Sequence, residues 1–150
     1  MMKVLVAYAS LTGNTEEMAE LIAEGVRDAG SEAVLKSVTD LSAVEINDYE
    51  GVLLGAYTWG DGELPDEFLD FYEELDEVDL NARKAAAFGS GDTGYAIYCG
   101  AVDLIEEKLK ERGALLLQES LKIEYGPNAA EKEDCRNFGR RFAAGVAAVS

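Results

Sequence analysis

The sequence predicts an α/β fold in which helices cover both faces of a doubly wound, parallel β-sheet. Two observations lead to this prediction. Short runs that are apolar on both faces of a strand alternate along the chain with segments of helical periodicity. The alternation extends over five such runs within 150 residues, which is the length of one domain. Right-handed crossovers between parallel strands then place helices on both faces of the sheet.

Five apolar runs are predicted as buried strands, because they lack the polar alternation of a half-exposed sheet. A strand is expected within LLLQESLKI (115–123), and residues 39–50 are irregular with one short helical turn. The other four strands are KVLVAY (3–8), AVLKSV (33–38), GVLLGA (51–56) and KAAAFGS (84–90).

Apolar residues at spacings of three and four predict a helix after each strand except the second. The stripes consist of Met18, Ile22, Val26 and Ala29; of Leu64, Phe68, Phe71, Tyr72 and Leu75; of Val102, Ile105 and Leu109; and of Cys135, Phe138, Phe142, Val146 and Val149. Residues that favour helix ends flank these stripes. They are Asn14 with Glu17 and Asn128 with Glu131, spaced as capping boxes, Pro65 in a first turn, and Gly30 and Gly113 as stops.

The composition restricts the kind of partner and chemistry. The net charge of −17 argues against nucleic acid or an anionic membrane, because both require a basic face. It favours a basic protein partner found by electrostatic steering, with a halophile-like solvated surface as the alternative. The chain has no histidine, which excludes Ser–His–Asp and Cys–His catalysis and histidine-bound metals.

A cytoplasmic protein is expected from the remaining features. Cys99 and Cys135 lie far apart and in no metal-ligand spacing, which fits a reducing compartment. The N-terminal apolar run of about six residues is too short for a signal sequence. No apolar run approaches the roughly 20 residues that a membrane span requires.

Three strands are followed by loops of unusual composition, and parallel strands bring these loops to the same edge of the sheet. ASLTGNT (9–15) follows the first strand and places hydroxyls, an amide and a glycine where a helix begins. The free N–H groups and positive dipole end of that helix attract phosphate. The loop has no Gly-Lys-Ser/Thr and no G-x-G-x-x-G, so neither an NTP-hydrolysing loop nor a dinucleotide fingerprint is indicated. An ordinary helix cap is the alternative.

The other two loops supply aromatic side chains. YTWGDGELP (57–65) carries Trp59, and SGDTGYAIYCG (90–100) carries Tyr95 and Tyr98. Taken singly, each has the composition of an ordinary turn or loop. Together with the first loop they outline a pocket for a flat, phosphorylated ring system.

From Lys3 to Val149 the chain resembles the flavodoxins, FMN-carrying electron-transfer proteins. The most specific match is the phosphate-loop signature formed by Tyr8, Ser10, Gly13, Thr15, Ala19 and Ile22. TWGDGELP and FGSGDTGYAIYCGAVDLIEEKL resemble the two isoalloxazine loops of short-chain bacterial flavodoxins, and no long insertion interrupts LLLQESLKIEY. The resemblance implies a five-stranded sheet of order 2-1-3-4-5 and FMN as the cofactor.

The resemblance also implies roles for individual residues. Side chains of the first loop and the backbone of 11–15 would hold the phosphate, and Asn14 and Thr58 would border the ribityl chain. Trp59 and Tyr95 would cover the two flavin faces. The Gly60–Asp61 peptide would turn its carbonyl toward flavin N5–H. The implied cofactor-binding set is Ser10, Leu11, Thr12, Gly13, Asn14, Thr15, Tyr57, Thr58, Trp59, Gly60, Asp61, Gly62, Ser90, Gly91, Asp92, Tyr95, Tyr98 and Cys99, of which Gly91, Asp92 and Cys99 would meet the pyrimidine edge.

The implied function is that of a monomeric, low-potential one-electron carrier that is not itself an enzyme. It would cycle mainly between the neutral semiquinone and the anionic hydroquinone, with reductases and low-potential oxidoreductases as partners. From Asp61 to Asp79 the chain has ten acidic residues and no basic one. Each carboxylate at about 10 Å would oppose an anionic flavin by about 1–2 kcal/mol at an effective dielectric near 20.

Two other classes remain as alternatives. A flavin-dependent quinone or azo reductase of the same fold would need room for a substrate beside the ring, which Trp59 and Tyr95 would occupy. A phospho-signalling receiver domain shares the strand order, but it needs an acidic pair after the first strand and a lysine after the fourth. ASLTG and GSGDTG supply neither.

Overall fold

The structure, a computed structural model, describes residues 2–9, 13–58, 62–92 and 99–148. Within these ranges strands and helices alternate as the apolar pattern predicts. The strands are β1 (Lys3–Ala9), β2 (Glu32–Ser37), β3 (Gly51–Tyr57), β4 (Lys84–Gly91), β5 (Leu115–Leu116) and β6 (Leu121–Glu124). The helices are α1 (Asn14–Asp28), α2 (Asp66–Glu74), α3 (Gly100–Glu111) and α4 (Ala129–Ala148).

The strands form one parallel sheet in the order β2-β1-β3-β4-β5, which confirms the predicted order. The fifth strand differs from the prediction, because it is divided into β5 and β6, which both pair with β4. Between them Gln118 leaves the sheet, and its side-chain amide donates to the Phe138 carbonyl of α4 at 3.0 Å. Pairing with β4 still includes the Leu117 N–H, which donates to the Ala85 carbonyl at 3.1 Å, and the interruption follows at residues 118–120.

Two apolar cores lie on opposite faces of the sheet, as a doubly wound fold requires. On one face, Leu53 and Phe88 pack with the apolar stripes of α1 and α4. On the other, Leu54 packs with Phe68 of α2 and Ile105 of α3. The uninterrupted apolar character of β3 and β4 therefore reflects burial on both sides.

The two predicted capping boxes have different outcomes. Asn128 and Glu131 form one, since each backbone N–H donates to the other's side chain at 3.0 and 2.8 Å. Asn14 does not cap α1, so that prediction is wrong. Gly13 is the N-cap residue and adopts a left-handed conformation (φ 91°), and no side chain of the described residues caps α1. The glycine lets the chain turn into the helix with Asn14 as its first residue.

The remaining helix ends differ little from the predictions. Pro65, predicted in the first turn of α2, is instead its N-cap residue, one position before the first helical residue Asp66. Gly30 and Gly113 follow α1 and α3 with φ angles of 91° and 88°, as glycines at helix stops do. Residues 38–40 and 43–48 form short 3₁₀ turns where one helical turn was expected. No helix in the described ranges has the length and apolar character that crossing a membrane requires.

Candidate functional site

The strands β1, β3 and β4 all end at the carboxyl edge of the sheet, at Ala9, Tyr57 and Gly91. The described parts of the three loops thus start from neighbouring positions. Several residues of the predicted site lie outside the described residues. They are Ser10, Leu11, Thr12, Trp59, Gly60, Asp61, Tyr95 and Tyr98.

The N-terminus of α1 opens at this edge. Its first backbone hydrogen bond runs from the Glu17 N–H to the Gly13 carbonyl at 2.9 Å. The N–H groups before Glu17 therefore have no carbonyl of this helix to donate to, and they carry the positive end of its dipole. A Cβ built on Gly13 would meet no atom of the described residues within 4 Å, which leaves room beside the turn on that part of the structure. These features fit a phosphate group.

A buried hydroxyl pair joins the first and third loops. Thr15 lies in the first turn of α1 and is fully buried, and Ser90, near the end of β4, is 3% exposed. Their hydroxyl oxygens are 2.8 Å apart, which is hydrogen-bonding distance. Neither partner was paired with the other on the basis of sequence, since the two residues are 75 positions apart. The contact depends on the strand order, which brings β4 within reach of α1.

The second loop is tied to the same place through Thr58. Its N–H donates to the Ser90 carbonyl at 3.0 Å, and its hydroxyl accepts the Ala101 N–H of α3 at 3.4 Å. Ser90 thus contacts the first loop with its side chain and the second loop with its backbone. Residues predicted from three separate sequence segments meet here through hydrogen bonds.

Close packing fixes the third loop at its two described ends. A Cβ built on Gly91 would lie 2.8 Å from Cys99 Sγ and 2.9 Å from Cys99 N, so a larger residue does not fit. Cys99 is buried in a left-handed conformation at the start of α3. The other cysteine, Cys135, lies in the core, and burial raises the pKa of its thiol to about 12. Both placements agree with structural rather than nucleophilic roles.

Tyr57 is held by α2. Its hydroxyl donates to Glu67 Oε1 at 2.9 Å, across the base of the second loop. Burial and then this hydrogen bond raise the pKa of Tyr57 to about 12. The residue is therefore a neutral phenol in the working pH range, and its hydroxyl is directed at α2.

A fourth segment, the loop of residues 125–128 after β6, borders the same edge and was not predicted. The Tyr125 N–H donates to the Gly91 carbonyl at 2.9 Å, beside the third loop. Gly126 lies against Asn14, whose Oδ1 would be 3.0 Å from a Cβ at that glycine. The signal in the sequence was the Gly-Pro-Asn run directly after the fifth strand, where a parallel sheet places every such loop.

The acidic stretch surrounds α2 at one side of the site. Its described members from Glu63 to Asp79 are exposed, except for the half-buried Glu67. Among the described residues of the stretch, Asp76 is the one with an ion-pair partner, Lys108 at 2.6 Å. The negative charge on this side is thus largely uncompensated.

Comparisons with known proteins agree with this geometry. The sequence model of the family described as Flavodoxin matches residues 6–139. The chain is 48% identical over 144 residues to "Probable flavodoxin 2" of Bacillus subtilis (strain 168), covering 95% of each chain. It is 45% identical over 146 residues to a flavodoxin of Maridesulfovibrio salexigens, covering 95% of this chain and 98% of the relative.

A solved structure gives the same result at the level of the fold. The crystal structure of oxidised Flavodoxin 1 from Bacillus cereus is similar with a TM-score of 0.91 and 47% identity. The match covers 95% of this chain and 97% of the crystallised one. The fold and the sequence therefore point to the same relatives over nearly the whole length.

Proposed function

Since the chain belongs to the flavodoxin family, whose members are FMN-binding electron-transfer proteins, we propose that it is a low-potential one-electron carrier with non-covalently bound FMN. It works in the cytoplasm as a single-domain monomer and cycles mainly between the neutral semiquinone and anionic hydroquinone states. The observation that carries the proposal is the hydrogen-bonded meeting of Thr15, Ser90 and Thr58 at the carboxyl edge of the sheet.

The phosphate would lie at the N-terminus of α1. The N–H groups of its first turn and the Thr15 hydroxyl supply donors, and the open space beside Gly13 lets a ligand approach the backbone closely. Ser10 and Thr12 add hydroxyls by the family resemblance. With no lysine in the loop, the site binds phosphate without the group that NTP hydrolysis requires.

FMN supplies the one-electron chemistry when it is bound, and the protein supplies orientation and electrostatics. Thr58 and Asn14 would border the ribityl chain, and Gly91, Asp92 and Cys99 would contact the pyrimidine edge mostly through backbone groups. By the family resemblance, Trp59 and Tyr95 would exclude water from the ring faces. The Gly91–Cys99 packing supports this arrangement, because it fixes the two ends of the third loop close together.

The uncompensated charge near α2 has two proposed effects. Its field opposes additional negative charge on the cofactor and so lowers the potential of the second electron. It also attracts the basic docking faces of partner reductases and low-potential oxidoreductases. Both effects require that most carboxylates of the stretch are not ion-paired. Among its described members only Asp76 is, with Lys108, while the Arg112 guanidinium donates to the Leu75 and Val78 carbonyls.

The proposal is tested by adding FMN to the apoprotein and following the quenching of flavin fluorescence. We expect saturation at one FMN per chain, and no steady consumption of NADH or NADPH by the holoprotein alone. Absence of FMN binding would contradict the carrier proposal. Steady NAD(P)H oxidation with a quinone or azo dye would favour the reductase alternative.

A further inference from the structure

Ser90 belongs to the cofactor-binding set that the family resemblance implies, but the resemblance gives its hydroxyl no particular contact, and the residue is buried at the centre of the proposed site. Side chains alternate along β4, so that Ser90 faces the same side of the sheet as Phe88, toward α1. Its neighbours on the strand allow little movement. A Cβ at Gly89 would collide with the Ala56 carbonyl, and one at Gly91 would meet Cys99. Ser90 therefore holds its hydroxyl at a fixed place beside Thr15.

The backbone of Ser90 is equally constrained. It pairs with Tyr57 in the sheet, and its carbonyl accepts the Thr58 N–H at 3.0 Å. A side chain on such a support is pre-organised, so that a hydrogen bond made by it costs little ordering.

The direction of the Thr15–Ser90 hydrogen bond follows from the number of protons. Each hydroxyl has one proton, and the 2.8 Å contact uses one of the two. If Thr15 donates to Ser90, Thr15 has no proton left for a ligand. If Ser90 donates to Thr15, the Thr15 proton is free to point out of the pair. A phosphate accepts hydrogen bonds and strongly prefers donors, so it selects the second arrangement.

We propose that Ser90 is a positioning residue: its O–H donates a hydrogen bond to the Thr15 hydroxyl oxygen and thereby directs the Thr15 O–H at the phosphate of FMN. This inference rests on the proposed function. In the resulting chain each hydrogen bond polarises the next, which strengthens the final bond to the anion. Ser90 itself does not touch the cofactor phosphate, and its effect passes through Thr15.

The test compares FMN with riboflavin, which has the same ring but lacks the phosphate. Dissociation constants of both flavins are measured by fluorescence quenching in phosphate-free buffer for the wild type and for Ser90→Ala. We expect the variant to bind FMN about fivefold to tenfold more weakly, as for the loss of one hydrogen bond. Riboflavin binding should change by less than about twofold.

Two Thr15 backgrounds serve as matched controls. Thr15→Ser keeps the hydroxyl, so Ser90→Ala should again weaken FMN binding by about the same factor. Thr15→Val removes it, so Ser90→Ala should then have no further effect on FMN. Ser90→Cys replaces Ser90→Ala if the latter does not fold, because a thiol is a weak donor of nearly the same shape.

The outcomes separate this inference from the proposed function. Equal weakening of FMN and riboflavin by Ser90→Ala would overturn it, since a general structural role moves both. An unchanged loss in the Thr15→Val background would also overturn it. If the wild type binds riboflavin and FMN with the same affinity, the phosphate contributes nothing to binding, and this inference is overturned while flavin binding itself stands. If it binds neither flavin, the proposed function itself fails, and this inference fails with it.

Discussion

Single side chains at the carboxyl edge are fixed by partners that lie far away in the sequence. Tyr57 and Glu67 are ten positions apart, and Thr15 and Ser90 are 75 apart. Tyr57 and Ser90 lie at the carboxyl ends of β3 and β4, and their partners Glu67 and Thr15 belong to α2 and α1. These hydrogen bonds hold the starts of the second and third loops against α2 and α1.

The first prediction concerns Tyr57→Phe, which removes the hydrogen bond to Glu67 and should cost about 0.5–1.5 kcal/mol of unfolding free energy near neutral pH. The pKa of Tyr57 is raised from 10.0 to about 12, chiefly by burial. A raised pKa stabilises the folded state below pH 10, and this stability is lost as the pH rises toward 12.

Denaturant unfolding at a series of alkaline pH values measures this loss. The wild type should lose more stability than Tyr57→Phe between roughly pH 10 and pH 12. Glu67→Gln keeps a hydrogen-bond acceptor but not the charge, so its loss of stability over this pH range should lie between those of the wild type and Tyr57→Phe. Parallel pH profiles for wild type and Tyr57→Phe would show that the Tyr57 hydroxyl is not in this environment.

Contacts of single residues were predictable from the sequence where the two partners are close along the chain. They were not predictable where the backbone conformation or a distant residue determines the contact. Asn128 and Glu131 form the predicted capping box. Asn14 and Glu17 have the same spacing, but the left-handed Gly13 takes the capping position. The Thr15–Ser90 pair could not be predicted, because nothing local links the two residues. Contacts of the flavin-covering residues Trp59 and Tyr95 stay predictions.

Among the secondary-structure elements, α1 and α4 pack unusually closely. A Cβ at Gly25 would collide with the Arg136 carbonyl, and one at Gly139 would collide with the Ile22 carbonyl. The two helix backbones thus approach at a pair of glycines. Ion pairs surround this contact, among them Arg140 with Asp28 at 3.1 Å.

The second prediction is that Gly139→Ala destabilises the protein by about 1–3 kcal/mol, because the backbone of α1 cannot yield. This occurs although alanine favours a helix by about 1 kcal/mol over glycine. Gly145→Ala is the matched control on the same helix, where the added Cβ would lie 3.2 Å from the flexible Leu117 side chain. In thermal unfolding, the melting temperature of Gly139→Ala should be well below that of Gly145→Ala. Equal melting temperatures would contradict the close approach.

A buried ammonium joins α3 to the turn after α2. The Lys108 side chain is 8% exposed and Asp76 is 50% exposed, and Lys108 also lies 4.6 Å from the Tyr72 ring centre. The hydrogen bond to Asp76 raises the pKa of Lys108. Removing the carboxylate leaves a buried cation, whereas removing the cation leaves a carboxylate that water can reach.

The third prediction follows from this asymmetry. Asp76→Ala should cost about 2 kcal/mol of unfolding free energy, and Lys108→Met, which keeps the aliphatic stem, should cost about 1 kcal/mol or less. The double variant should be no less stable than Asp76→Ala alone. Denaturant unfolding of the three variants provides the measurement. A larger loss of unfolding free energy for Lys108→Met than for Asp76→Ala would show that the Lys108 ammonium is not the buried member of the pair.

The elements themselves were largely predictable, since apolar runs and stripes report burial directly. Starts and ends of β1, β3 and β4 agree with the prediction to within one residue. The division of the fifth strand was not predictable, because the partner of the Gln118 side chain, the Phe138 carbonyl of α4, comes near it only in the assembled fold. The loop of 125–128 was missed because it carries no charged or aromatic cluster apart from Tyr125.

On the scale of the whole molecule, the charge is unevenly distributed. Cations of α4 pair with acids of α1, as Arg136 does with Glu24 and Lys132 with Glu17. The exposed carboxylates near α2 lie on the opposite face of the sheet and have few such partners among the described residues. A largely unpaired part of the net charge of −17 therefore lies on the α2 side of the sheet.

The fourth prediction is that electron transfer to a basic redox partner slows as salt rises from about 20 mM to about 500 mM, because screening weakens steering. Asp66→Asn and Asp70→Asn, on α2, should lower the rate at low salt. Glu32→Gln changes the charge by the same amount at the start of β2, on the amino edge of the sheet, and should have little effect on the rate. Stopped-flow rates that are independent of salt, or equally reduced by all three variants, would refute docking on the α2 side.

The proposed role of this protein is to hold FMN beside a largely uncompensated acidic surface and so to act as a low-potential one-electron carrier. Anaerobic potentiometry of the FMN-loaded protein tests it most directly. We predict two separated one-electron steps, with the second far below that of free FMN. Asp66→Asn should raise the second step by tens of millivolts, since about 1.4 kcal/mol corresponds to about 59 mV. A single two-electron step near the potential of free FMN would contradict the account.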